Sequence, residues 1–295
     1  MGFDSNGVKL LFKAKQLDVN FDKVITIGRQ RLILKEKDMQ QLIVDAGFSN
    51  NECENIFNNN SYSEPFLKLL GAKITDSIDV SDYEGATVVH NLNFPVSDNL
   101  KNKYTLVIDG GCLEHVFNFP VAIKNCMDLI QKNGYYIGIT PTNNFFGHGF
   151  YQFSPELYYR IFSQSNGFQF VKMYFYIDKK KSPIYEVLDP LNINQRIIMV
   201  NAYPSYLFVI AKKIEEKEVF SQMPQESDYD YNNCNEKDCV KTAVNTVNKK
   251  INLFGLIKLF IPSFIKKWGV LIYRPAGNSN PQFIRKEQLT FTNKK

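Results

Sequence analysis

The stretch YTLVIDGGCLEHVFNFPVAIKNCMDLIQKNGYYIGITPTN, residues 104–143, decides the fold class. Tyr104 to Asp109 is a near-continuous apolar run, the pattern of a strand buried on both faces. Phe119 to Lys132 follows with helical spacing of Val121, Ile123, Met127, Leu129 and Ile130, and Asn133-Gly134 ends it. Tyr135 to Thr140 is a second apolar strand. Strand, helix and strand in immediate succession make the crossover unit of a parallel sheet.

The same alternation extends in both directions. Upstream, KVITIG (residues 23–28) is a short β-branched strand ending in glycine, and Lys35 to Ala46 is a helix that Gly47 stops. An Asn-rich loop covers 55–61, and Ser63-Glu64-Pro65 opens a short helix that Gly71 closes. Ile74 to Val80 and Ala86 to Leu92 read as strands. Downstream, Ser154-Pro155-Glu156 starts a helix running to Asn166-Gly167. Phe168 to Ile177 and Tyr206 to Lys212 are two long strands, and the excursion between them (178–196) fits an antiparallel edge pair.

Composition bounds the rest. The 295 residues are 44% hydrophobic and 22% charged, which suits a globular domain and excludes disorder and disulfide scaffolds. No apolar run reaches the roughly 20 residues of a membrane span. The N-terminus lacks the apolar core of a signal peptide, so a cytoplasmic location is expected. The five cysteines are read as free thiols, and no Cys/His pair stands near Cys234 and Cys239 to complete a zinc site. From Lys249 onward ten Lys/Arg face Glu287 alone, so a tail of +9 leaves −4 on residues 1–248 of a chain whose net charge is +5. Positive charge confined to one end argues against nucleic acid as a partner.

The order of elements over about residues 20–212, and above all the block 104–143, resembles the class I S-adenosylmethionine (SAM) dependent methyltransferases. Within it, LEHV after the strand 104–109, the turn QKNGYY and the ending SYLFVIAKK carry the likeness, while GHGFYQFSPELYYRIF (147–162) resembles bacterial methyltransferases of surface (capsular) polysaccharide biosynthesis. The resemblance implies an α/β, Rossmann-like, doubly wound seven-stranded sheet, mostly parallel with an antiparallel last strand, plus a C-terminal helical extension. It divides the chain into a methyltransferase domain (1–212), a polar linker (213–248) and a basic apolar extension (249–295).

It also implies a site. SAM would lie at the carboxyl ends of the strands, near Gly28, Asp79, Asn91, Asp109 and Gly110. Gly28 lets the backbone approach the cofactor, Asp79 would take the ribose hydroxyls, and the Asn91 amide would read the adenine edge. The family's G-x-G-x-G is absent, since Gly28 is followed by Arg-Gln-Arg, and about fifty residues rather than about twenty separate Gly28 from Asp79. An inserted helix would take up the extra length. Glu114, His115 and His148 are the candidate catalytic residues, with a histidine as general base for an acceptor hydroxyl. Ubiquinone-type O-methyltransferases hold a divalent metal with an E-x-x-E-H stretch at this place. Glu114 and His115 match it, Gly111 stands where the first Glu would be, and no metal is assigned.

The expected reaction is SAM-dependent O-methylation of a sugar or sugar-linked group in surface polysaccharide synthesis, the partner being a small-molecule or glycan acceptor, with a phosphate-linked or amine acceptor also open. The alternative is a noncatalytic partner subunit of the same fold, docking through its tail to a membrane or another enzyme. Residues 251–273 are apolar, basic and Trp-containing, which leaves open a peripheral contact with the inner face of the membrane, packing on the body, or a homodimer.

Overall fold

The computed structural model describes residues 2–49, 56–57, 61–232 and 283–286. The segment 251–273 and Cys53, Cys234 and Cys239 lie outside the described residues. In chain order the elements are β1 (Gly2–Phe3), α1 (Ser5–Gln16), β2 (Lys23–Ile27), β3 (Arg31–Leu32), α2 (Glu36–Asp45), α3 (Glu64–Leu69), β4 (Ile74–Asp79), β5 (Val88–Val89) and β6 (Tyr104–Asp109). They continue with α4 (Phe119–Leu129), β7 (Ile130–Asn143), α5 (Pro155–Ile161), β8 (Phe168–Ile177), β9 (Ile184–Val187), α6 (Pro190–Ile193), β10 (Ser205–Lys213), α7 (Ser227–Asn232) and β11 (Phe283–Lys286).

Nine strands form the main sheet in the order β11-β9-β8-β10-β7-β6-β2-β4-β5. From β5 to β7 every neighbour is parallel, and β10 runs antiparallel to both β7 and β8. Of the seven strands that the sequence predicts, β10 alone runs against the rest. The chain is α/β with the doubly wound, Rossmann-like arrangement. Strand order reverses between β2 and β6, which places the ligand crevice outside their carboxyl ends.

Alternation along each strand builds two cores. Ile25, Ile27, Val107, Tyr136, Phe175, Leu207 and Val209 face α4 and α5, while Val24, Leu106, Ile108, Ile137, Tyr176 and Phe208 face α1, α2 and α3. The two faces are equally apolar, which is why β6 reads as an unbroken hydrophobic run.

Several expectations change. The last strand is no edge, because β10 inserts between β7 and β8, and β9 with β11 extends the sheet beyond β8. The excursion 178–196 thus holds both β9 and α6. Only Val88–Val89 of the predicted strand 86–92 pairs, since the chain turns there and the His90 ring bonds the Phe94 carbonyl. Helix α4 stops at Leu129, and Ile130 already pairs with Tyr104. Helix α5 ends at Ile161 and a separate 3-10 turn at 164–166 completes the descent to Gly167, which is left-handed. Within 213–248, α7 is helical and its Ser227 bonds Glu156.

The lysine that ends β10 has a defined task. Lys213 is buried and donates to the carbonyls of Met127 and Ile130 and to Asn102 Oδ1. It satisfies carbonyls left over at the C-terminal end of α4, where a cation also suits the helix dipole.

Candidate functional site

The carboxyl ends of β2, β4 and β6 bring Gly28, Asp79 and Asp109 to one edge of the sheet. Gly28 has φ +67° and donates its N–H to Ile78 O at 2.7 Å, so the glycine lets the chain leave β2 in a left-handed turn. Half-buried Asp79 accepts from Val80 N with one oxygen. Asn91 is exposed, and its side-chain oxygen accepts from the backbone and side chain of Asn93. Gly110 is buried: a Cβ there would stand 2.5 Å from Gln30 Oε1 and 2.8 Å from Phe3 Cε1.

The loop after β2 replaces the missing glycines with a cross-braced polar turn. Arg29 Nε meets Glu64 Oε1 at 2.6 Å and its Nη1 donates to Glu84 O. Arg31 pairs with Glu84 at 2.9 Å, and both guanidinium groups stand over the Tyr62 ring, 3.8 Å and 4.6 Å from its centre. Gln30 is fully buried and donates to Ile27 O, while its Oε1 has no hydrogen-bond partner. The long insertion between β2 and β4 supplies Tyr62 and Glu64 as well as α2 and α3, and Glu84 comes from the segment after β4.

Beyond β6 the polar groups are left open. Asp109 is fully buried, and its Oδ1 accepts from Cys112 N at 2.8 Å while Oδ2 has no partner. Burial lifts its pKa to about 7 against the pull of backbone N–H groups from Cys112, Leu113 and Gly111. Glu114, on the short 3-10 turn Leu113–His115, is equally enclosed with Oε2 unpartnered. Its pKa rises to about 8, first through burial and then through the charge of Asp109. Three further buried oxygens without a partner, on Tyr136, Thr140 and Tyr158, belong to the same interior region, where these hydroxyls approach one another without a well-formed bond.

The histidines sit at its mouth. His148 Nε2 is 3.5 Å from Glu114 Oε1, and the His115 and His148 rings lie 4.8 Å apart, edge to face. Partial burial, and after it the neighbouring His148, lowers the His115 pKa. One donor atom from each of Glu114, His115 and His148 falls within 4.8 Å of the others. Phe150 N and Tyr151 N both donate to Glu114 O, fastening the loop after β7 onto the turn after β6. A Cβ at Gly149 (φ +68°) would stand 2.8 Å from that carbonyl, and one at Gly111 (φ +89°) 3.2 Å from Glu114 Oε1. Both glycines let the backbone close around the carboxylate. The same loop reaches a neighbouring cavity of about 250 Å³, walled by Phe153, Phe175, Met199 and Leu207 and edged by Asn143 and Gln152.

The chain is similar in fold to solved methyltransferases. One is a SAM-dependent methyltransferase of Thermotoga maritima, 14% identical at a TM-score of 0.39 over 70% of this chain and 89% of that one. Another is the 1,6-didemethyltoxoflavin-N1-methyltransferase of Burkholderia thailandensis with S-adenosylhomocysteine bound, 12% identical, TM-score 0.38, over 72% and 78%. A third is the N-methyltransferase NodS of Bradyrhizobium japonicum, 10% identical, TM-score 0.36, over 70% and 86%. No protein-family profile and no curated protein matches the chain.

Sequence reasoning passes over two parts of the site. The Arg29-Gln30-Arg31 turn registers only as absent glycines, although its charges announce partners. Tyr136 falls within an apolar strand and Tyr158 within a helix, and their polar ends emerge only when β7 and α5 are packed together.

Proposed function

We propose that this chain is a SAM-dependent methyltransferase whose acceptor binds against Glu114, His115 and His148. What carries the reading is the placement, beside the point where strand order reverses, of a buried carboxylate with an unpartnered oxygen, Asp109, next to that Glu/His cluster. The sequence resemblance over residues 20–212 supports the choice of cofactor. Asp79 would hold the ribose hydroxyls and Asn91 the adenine edge. Gly28 would admit the backbone, while the turn from Asp109 to Leu113 would line the methionine end. Gln30, in the position of a family glycine, presents its buried Oε1 there as an acceptor suited to a cofactor ammonium. Bound SAM supplies an electrophilic methyl group.

The protein's own part is to hold the acceptor in line and take its proton. Two imidazoles beside a buried carboxylate are equipped for this. The likeness of residues 147–162 to surface-polysaccharide enzymes favours oxygen methylation of a sugar or sugar-linked group. The cytoplasmic, membrane-proximal location belongs to the same reading. Among the described residues no helix is long and apolar enough to cross a membrane.

Calorimetric titration of the ligand-stripped protein with SAM and S-adenosylhomocysteine tests the reading. Micromolar binding that falls at least tenfold in Asp79→Ala is the expected result. A folded sample that gives no heat and no thermal shift with either ligand overturns it in favour of the noncatalytic partner subunit.

A further inference from the structure

The sequence assigns no metal because Gly111 stands where a carboxylate ligand would be. The structure brings up a different donor. His148, from the loop after β7, reaches the cluster that Glu114 and His115 begin on the turn after β6. We propose that Glu114, His115 and His148 bind one divalent cation of the zinc class, with the fourth coordination position open toward the acceptor.

Three observations carry this. First, the Glu114–His148 separation of 3.5 Å is at the outer limit of a hydrogen bond. It is close to the separation of about 3.4 Å between two donors that each stand about 2.1 Å from a tetrahedral ion. The remaining donor distances lie within 4.8 Å, and both imidazoles are on exposed residues. Second, the Glu114 side chain is only 2% exposed, yet its carboxylate receives no hydrogen bond from a side chain, and Oε2 has no partner at all. A buried carboxylate in that condition is costly unless it meets a charge. No Lys or Arg pairs with it among the described residues, and the two imidazoles stand within ligand distance of it. Third, Gly111 and Gly149 hold left-handed backbone directly against Glu114, so the two loops close around the donor set without a side chain entering it.

The donor types choose the ion. Two imidazoles and one carboxylate suit zinc, cobalt and their first-row neighbours. Magnesium and calcium prefer an all-oxygen shell that this cluster does not offer. Three protein ligands with one open position is the arrangement of catalytic rather than structural zinc sites. The role given to the ion rests on the methyltransferase reading: a hydroxyl at the open position would lose its proton more readily. The binding site itself does not depend on that role.

The test uses the full chain without an affinity tag and with Cys234→Ser and Cys239→Ser as background, because thiols there would compete for the same ion. The chelator-stripped protein is titrated with Co2+, following the visible absorption of a tetrahedral site, and then with Zn2+ in competition. The expected result is one equivalent per chain with micromolar or tighter affinity, displaced by Zn2+ and indifferent to a large excess of Mg2+. His148→Ala and Glu114→Gln should each weaken it at least tenfold. His148 is about half exposed, so its variant should fold like the parent, which circular dichroism checks. Absence of binding, an octahedral spectrum, or undiminished binding in both variants overturns the proposal. SAM titration of the same preparations keeps the two readings apart. A cation bound without SAM removes methyl transfer and leaves the metal site, and SAM bound without a cation does the reverse.

Discussion

Two polar clusters share the carboxyl edge of the sheet and are built on opposite plans. Around the loop after β2 each charge meets an opposite one: Arg29 with Glu64, Arg31 with Glu84, and both arginines with the face of Tyr62, although Glu64 Oε2 is buried without a partner. Around the turn after β6 they do not. Asp109 and Glu114 are buried with oxygens unused, neither pairs with a Lys or Arg among the described residues, and the groups clustered with Glu114 are two histidines. A matched cluster at modest exposure fastens a loop, whereas an unmatched buried one keeps bonding capacity for something that is not protein. The difference separates scaffold from site without reference to any activity.

Gly110 is the seam between the two, and placing a methyl group there has the largest expected effect. Gly110→Ala drives Cβ into Gln30 and Phe3 and should destabilise by about 3 kcal/mol, at the upper end for overpacking, as urea denaturation would measure. A loss below about 1 kcal/mol would mean that the first loop yields easily and the clusters are less coupled than their contacts suggest.

Acid pairing supplies the next contrast. The pKa values of Asp109 and Glu114 stand above their unfolded values, so the folded state favours the protonated forms. That contribution is complete below the unfolded carboxylate range and disappears as pH rises through about 7 to 8. With a chelator present, stability should fall between pH 5 and pH 9 by on the order of 2 kcal/mol. Asp109→Asn should flatten the profile. A profile in Asp109→Asn as steep as the parent's would place the titration elsewhere.

Arg29→Ala probes the matched cluster and should cost about 1 kcal/mol, because both partners are roughly a fifth exposed and Glu64 can recover some solvent. Its stability should show no new dependence on pH between 5 and 9. The smallest effect belongs to Phe146→Ser, at a ring wholly exposed on the loop after β7, where stability should change by less than about 0.5 kcal/mol. If SAM or cation binding shifts in that variant while stability does not, the ring touches ligand.

Much of the fold is legible because residues 104–143 carry it locally: an apolar strand, a helix with one polar stripe and a second apolar strand. Helix α1 is harder to see. Val8, Leu10, Leu11, Phe12 and Ala14 are all buried, so its apolar residues ring much of the helix, and Gly7 lies in its first turn. Asp4, which caps it by accepting from Gly7 N, was the available signal. The interior position of β10 depends on which strand pairs with which, a choice between distant segments that no local pattern records. In the site, Glu114 and His115 stand out through their neighbours in sequence, and His148 through its flanking glycines. That the three converge is a property of two loops closing on one carbonyl, invisible until both strands are in register.

That carbonyl, Glu114 O, joins access to assembly. The loop after β7 rests on it through Phe150 N and Tyr151 N, and the same loop carries His148. Lifting the loop to admit a molecule would therefore withdraw the imidazole from the carboxylate in one motion. A site constructed this way is complete only while the loop is seated, so a molecule meets Glu114 and His148 together only when the Phe150 and Tyr151 bonds are made.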